Sequence, residues 1–404
     1  MMSTLGSLRG GKRVWQKPSH SCLLQDVSMA PVPSNRSRRS RIDAIIVPAT
    51  RPASSFSGLI DLSARAETLL VVLCSRQARV EQLAERVANT PRARALVIKI
   101  PADPHPEIPK RTSDLAFRAA SAGRMSDLSL KRNLGLMLAR LHGWLKIVFL
   151  DDDITLTRTD SFVRLAGQLE NHQLAGMVCR DYPDNSVVCH ARRLAKLRQD
   201  NFISGAVLGV NCGDLPLPFF PDIYNEDWFS FSKAAARRDL PKVGEALQAE
   251  YDPFASPLRA CHEEFGDLLA EGLYLLIGNE DPEMKFDRIL RGATRQFWSD
   301  FIEARNENLN ATHHGLEHFA GGGSHDGDDV THRAMRSLAA AKDQLRTISP
   351  DTCTAFLEAW QQDMDHWERF CRGLNAVDST REAMDVLSIK NWRLARFGNP
   401  DVGW

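Results

Sequence analysis

Three consecutive carboxylates close an apolar run at Leu145-Lys-Ile-Val-Phe-Leu-Asp151-Asp152-Asp153-Ile-Thr155. Two carboxylates one residue apart, Asp151 and Asp153, can reach the same hard cation, and such oxygen donors suit a divalent ion, Mn2+ or Mg2+. A metal held this way can grip a diphosphate. The run before the acids has the length and composition of a buried strand, and ligands bind at strand ends in open α/β sheets. Other chemistry-bearing residues flank it. Lys131, Arg132 and Asn133 open the helical stretch that feeds the strand; downstream come Ser204-Gly205-Ala206 and the acidic pair Glu226-Asp227 followed by Trp228. Plainer readings exist for each. The aspartates also read as a solvated turn or helix cap, Lys131 and Arg132 as an exposed helix face, Glu226 and Asp227 as first-turn acids favoured by the helix dipole, and Trp228 as core.

These groups need a scaffold, and the chain alternates in a way that supplies one. Ala44–Pro48, Leu69–Leu73, Ala95–Lys99, Leu145–Leu150 and Gly176–Cys179 read as strands. Ala78–Val87 and Leu128–Leu141 carry apolar residues at helical spacing between them. Strand–helix–strand alternation predicts a doubly wound, mostly parallel α/β sheet with helices on both faces. Beyond about residue 255 the texture turns helical: Ser256–Ile277, Pro282–Asn308, Val330–Thr347 and Thr352–Leu374 are expected helices, and Ser379–Trp404 a helix followed by an irregular tail. The first 41 residues, rich in Ser, Gly, Pro, Arg and Lys, are expected to be a disordered basic tail. The expected organisation is thus 1–41 tail, 42–254 nucleotide-binding and catalytic unit, and 255–404 helical region.

Bulk properties narrow the function. A formal net charge of zero gives no global reason to expect nucleic acid or membrane as a partner. No apolar run approaches the ~18 residues that span a bilayer. The eight cysteines include no CxxC pair, which argues against a zinc knuckle or a disulfide framework and fits a reducing, cytoplasmic setting.

Taken in order, the motifs resemble the GT-A nucleotide-sugar glycosyltransferases, family-2-like members above all, over roughly residues 42 to 235. In that family the first strand ends in a Pro/Thr-rich loop near the nucleotide, matched by Pro48, Thr50 and Arg51. A basic residue and Asn precede the metal-binding DxD, matched by Arg132, Asn133 and Asp151–Asp153; a small-residue turn lines the sugar pocket, matched by Ser204, Gly205 and Ala206. An acidic pair with an aromatic approaches the acceptor, matched by Glu226, Asp227 and Trp228. The resemblance implies a nucleoside-diphosphate sugar donor, a divalent ion on Asp151 and Asp153, Asp152 at the ribose or behind the metal ligands, and Lys131 or Arg132 beside the diphosphate. It implies that Asp227 or Glu226 is the base if the reaction inverts. One departure concerns the second strand, which ends Leu73-Cys74-Ser75-Arg76 where the family has an acid, leaving base recognition to Ser75 and backbone. The acceptor is not identified.

Other histidines and acids stay open. His262, His313, His314 and His318 are candidates for a third metal ligand, and Tyr251, Asp252, Pro253, Phe254 and Arg259 for the acceptor side. A nucleotidylyltransferase would open with a Gly-rich basic loop after the first strand, which Pro48-Ala-Thr-Arg-Pro52 lacks, and two further rival readings remain. One is a haloacid-dehalogenase-like phosphatase using Asp151 and Asp153, with His325-Asp326-Gly327-Asp328-Asp329 as a poor second acidic loop. The other is a non-catalytic sugar-nucleotide-binding protein.

Overall fold

The computed structural model describes residues 8–9, 12–13, 19–29, 41–102, 105–156, 160–180, 186–320 and 325–401. Its frame is a set of short aliphatic runs, each buried on both sides. The strands are β1 (Ala44–Ala49), β2 (Leu69–Cys74), β3 (Arg94–Lys99), β4 (Lys146–Leu150), β5 (Leu174–Arg180), β6 (Ser204–Asn211), β7 (Pro241–Gln248) and β8 (Trp392–Arg396). They lie in the order β8-β3-β2-β1-β4-β6-β5-β7, with the two-residue strand Gln25–Asp26 beyond β7 and Ile154–Thr155 also paired to β7. β3, β2, β1 and β4 run parallel; β6 is antiparallel to both its neighbours, and β8 is antiparallel to β3. The sheet is therefore mixed and mostly parallel.

Period-two alternation sends side chains to two cores. Ile45, Val47, Val72 and Val148 face one layer, where α1 (Ser57–Arg65), α2 (Val80–Ala88) and α5 (Asp160–Gln168) contribute Leu59, Leu83 and Leu165. Ala44, Ile46, Val71 and Phe149 face the other, which α4 (Leu128–Leu141) covers with Leu134, Met137 and Leu138. Helices on both faces explain why these strands read as unbroken apolar runs.

The remaining helices are α3 (Leu115–Ala120), α6 (Val187–Leu194), α7 (Glu226–Ala236), α8 (Pro257–Asn279), α9 (Phe286–Arg291), α10 (Arg295–Ala320), α11 (His325–Leu345), α12 (Pro350–Gly373) and α13 (Thr380–Val386). The helical region beyond residue 255 stands as expected, and its long helices share one core with the sheet, from Leu23 through Phe265 and Trp360 to Ile389.

Several expectations need correction. Pro282–Asn308 is not one helix: it breaks at Gly292 into α9 and α10, and α10 continues to Ala320. After α13 the chain forms β8 rather than an irregular tail, and β8 pairs along the whole of β3. Ser204–Ala206 begins an eight-residue strand rather than forming a turn. Its glycines lower strand propensity, but the site between β4 and β5 is buried and decides the conformation. Finally, residues 19–29 are not a free tail. Gln25 and Val27 donate backbone hydrogen bonds to Leu240 and Lys242 at the sheet edge, and Leu23 is buried. The rest of the expected tail lies outside the described residues, apart from the short strands Leu8–Arg9 and Lys12–Arg13 and from Arg41.

Candidate functional site

The strand order reverses between β1 and β4. From β1 the chain winds outward through β2 and β3, then returns to place β4 on the other side of β1. The carboxyl ends of β1 and β4 meet at this switch, the position at which open α/β sheets have their ligand crevice. Thr50 and Arg51 leave β1 at this point, and Asp151, Asp152 and Asp153 leave β4 there. The segments meet directly. One Asp152 oxygen accepts the Thr50 and Arg51 backbone N–H groups at 2.7 and 3.0 Å. The Arg51 guanidinium straddles two acids, with Nε 3.3 Å from Asp152 and Nη2 3.0 Å from Asp153. Gln248, at the end of β7, donates to Asp153 at 3.3 Å.

Helix α4 supplies the cations from below. A Cβ on Gly135 would stand 2.9 Å from the Phe149 ring and 3.1 Å from Ile46, so the missing side chain lets α4 lie close on β1 and β4. That approach carries Lys131 and Arg132 beneath the switch. Lys131 is fully buried; its Nζ donates to the Ala49 carbonyl at 2.9 Å and Ser75 Oγ at 2.7 Å and pairs with Asp127 at 3.0 Å. Burial lowers its pKa, against the opposing pull of Asp127. Lys131 thus ties the ends of β1 and β2 together. Asn133 joins its amide to the backbone of Phe220 in both directions, at 2.8 and 3.0 Å, which fixes the loop ahead of α7.

Arg132 connects the two halves of the site. Its Nη2 lies 3.2 Å from Asp151, and its Nη1 lies 2.5 Å from Glu226 in the first turn of α7. Burial opposes its charge, but Asp151, Glu226 and Asp227 outweigh that and hold the guanidinium above its ordinary pKa. Gly205 leaves room for it: a Cβ there would meet Nη1 at 2.5 Å. The Gly205 N–H donates to Asp227 at 2.6 Å, the Trp228 N–H donates to the same carboxylate at 2.8 Å, and Asp151 N–H donates to the Ala206 carbonyl at 3.0 Å.

Thr50, Arg51, Ser75, Lys131, Arg132, Asp151, Asp152, Asp153, Gly205, Ala206, Glu226 and Asp227 therefore belong to one connected constellation at the sheet's carboxyl edge, while Pro48 lies within β1 opposite Leu73. Trp228 lies beside it in a different setting. Its ring packs against His20 at 5.1 Å, Phe202 at 5.1 Å and Tyr274 at 4.6 Å between centroids. His20 and Gln248 were not singled out in the sequence, because the N-terminal segment reads as a tail and β7 carries too many polar residues to read as a strand.

Carboxylate oxygens are the donors that hard divalent cations take. Within this network six carboxylates (Asp127, Asp151, Asp152, Asp153, Glu226 and Asp227) face three cations (Arg51, Lys131 and Arg132). No group of three His, Cys, Asp or Glu side chains able to hold a metal occurs among the described residues. The protein would then offer one or two carboxylates, with phosphate oxygens and water completing the shell, the arrangement Mg2+ favours. Of the candidate third ligands, His313 and His314 both pair with Glu317 on α10, His318 is exposed on the same helix, and His262 is half-buried near Arg124. Tyr251 and Arg259 form a local cluster, with the guanidinium 4.5 Å over the ring and His190 2.9 Å from the hydroxyl. No helix is long and apolar enough to cross a membrane among the described residues. No family model and no curated protein matches this chain.

Proposed function

We propose that this chain is a metal-assisted glycosyltransferase of the GT-A kind, moving a sugar from a nucleoside-diphosphate sugar to a hydroxyl-bearing acceptor. The observation that carries the reading is the convergence of β1, β4, β6 and α7 on a single acid-rich cluster at the switch between β1 and β4. A divalent ion bound by Asp153 and Asp151 would supply Lewis-acid stabilisation of the departing diphosphate. The chain's own residues do the rest. Asp152 fixes the Thr50–Arg51 backbone that borders the donor. Arg132 holds Asp151 and Glu226 in one orientation. Asp227 or Glu226 is the candidate base: Glu226 is paired with Arg132, and Asp227 accepts the Gly205 and Trp228 N–H groups, one on each oxygen. It would take the proton from the acceptor hydroxyl as that oxygen attacks the anomeric carbon.

The test is to incubate the full chain with Mn2+ and a panel of nucleotide sugars and to measure diphosphate release. Asp153→Asn is expected to lower turnover roughly 10²–10³-fold while the thermal unfolding midpoint stays near that of the parent. Full activity in excess EDTA, or in Asp153→Asn, would overturn the metal role.

A further inference from the structure

The first turn of α7 carries Glu226 and Asp227, and its start is not capped by its own side chain. The leading residue, Asn225, takes the left-handed conformation at φ 64° and makes no side-chain bond to the helix it precedes. Its amide reaches instead to Asp267 on α8 at 2.9 Å. Asn tolerates that backbone region, so the turn is allowed there but is not fixed by itself. Other elements fix it. Arg132 holds Glu226, and the Tyr274 hydroxyl donates to the Trp228 carbonyl at 2.9 Å. Burial, with the Asp227 charge beside it, raises the Tyr274 phenol above its ordinary range and keeps it a donor. The Trp228 ring is wedged between Phe202, Tyr274 and His20.

Of these three walls, only His20 comes from the N-terminal segment, and its place does not depend on Trp228. Its backbone N–H is on Asp200 at 3.1 Å, Leu23 is buried, and Gln25 and Val27 are laddered to Leu240 and Lys242. The imidazole is 5% exposed and stands edge-on to the indole at 88°. A cavity of about 30 Å3 adjoins both rings and is lined also by Asn225 and Asp267. The packing around Trp228 therefore already has slack on one side. A smaller side chain at position 20 would join its vacated volume to that cavity and leave the indole room to turn, because the surroundings relax only in part.

We propose that His20 is a positioning residue for Asp227: by closing one side of the Trp228 ring, the N-terminal segment fixes the turn that aims the carboxylate. This deepens the glycosyltransferase reading and rests on it. The link from ring to acid is one residue long. The Trp228 N–H is one of the two backbone donors on Asp227, at 2.8 Å, and the Gly205 N–H on the other oxygen, at 2.6 Å, is the second. A Trp228 that turns carries its own N–H with it, and the carboxylate then loses its alignment with Gly205. Small displacements of a reacting group weigh heavily on rate, so the effect belongs in turnover rather than in donor binding.

The test uses the full chain with its eight tryptophans replaced by 5-fluorotryptophan, held well below its unfolding midpoint. Fluorine NMR gives one line per indole, and the line lost in Trp228→Phe is that of Trp228. In His20→Ala the Trp228 line should shift and broaden while those of the distant Trp144 and Trp392 stay in place. Hydrogen exchange at the Gly205 amide, read by mass spectrometry, should quicken roughly tenfold. With Mn2+ and the nucleotide sugar that the parent uses, turnover should fall roughly tenfold at unchanged donor KM. His20→Phe keeps a flat ring edge and should return both the line and the Gly205 protection towards the parent. Should His20→Ala not fold, His20→Leu, which keeps most of the volume but not the ring edge, takes its place with the same expectations. An unmoved Trp228 line overturns the proposal, as does a moved line with unchanged Gly205 exchange; either would leave His20 a packing residue only. Unchanged turnover in an active protein overturns it too. If the parent turns over no nucleotide sugar, the glycosyltransferase reading fails, and the Trp228 line and Gly205 exchange still decide whether His20 holds the turn.

Discussion

Arg132 is legible in the sequence as a cation at the start of a helix, and that is all the sequence can say of it. Its burial depends on Gly135 bringing α4 onto the sheet and on Gly205 leaving space, two features that lie 70 residues apart. The expectation that Arg132 stands beside a diphosphate gives way to a role under the site, as the bridge from Asp151 to Glu226. Arg132→Met should cost roughly 3–5 kcal/mol in urea unfolding, because removing one partner leaves buried charges uncompensated; a loss below about 1 kcal/mol would contradict the bridge. Glu263 carries a second residue-scale consequence. Burial pushes its carboxyl up to about 7, against the opposing effects of Arg259 and the Val187 N–H, which lie 2.6 and 2.7 Å away. The folded protein then holds a proton that the unfolded chain releases near 4.5. Stability from this group is therefore full below pH 4.5 and falls as pH rises towards 7, by an amount on the order of 3 kcal/mol. Glu263→Gln should flatten that part of the stability profile, measured as the difference from the parent across the same window; an identical slope would refute the shift.

At the scale of elements, the strands that carry the acids were readable because they are aliphatic and buried on both faces. β1, β2, β3 and β4 announce themselves, and so does α4 through its periodicity. The strands that the sequence does not announce are those whose residues depend on tertiary context. β6 opens Ser-Gly-Ala because Arg132 fills the space beside it, and β7 reads Pro-Lys-Val-Gly-Glu-Ala-Leu-Gln because one flank is exposed. The N-terminal segment reads as a tail for a related reason: composition counts basic residues and cannot show that His20 and Leu23 have a place to go. His20 donates its backbone N–H to Asp200 at 3.1 Å and sets its ring edge-on to Trp228. Deleting residues 1–40 should therefore destabilise the protein by roughly 2–4 kcal/mol from lost burial alone, and should alter tryptophan emission through Trp228. An unfolding curve that superimposes on that of the full chain would show that the segment contributes nothing.

Seen whole, the molecule is held at both edges of its sheet by segments distant from its middle: Gln25–Asp26 pairs beyond β7 and Trp392–Arg396 pairs beyond β3. The core that Leu23 enters is the one that Ile389 completes. This has a consequence for how the chain comes into being. β3 leaves the ribosome long before β8 exists, with roughly 300 residues still to be translated at ~5–20 residues per second. For much of a minute its outer row of backbone N–H and C=O groups has no partner, and an unpaired strand edge is a template for pairing with another chain. Pairings so distant along the polypeptide are also slow to form once they can. Until β8 closes it, that edge depends on being shielded from other chains, a demand the finished sheet no longer shows.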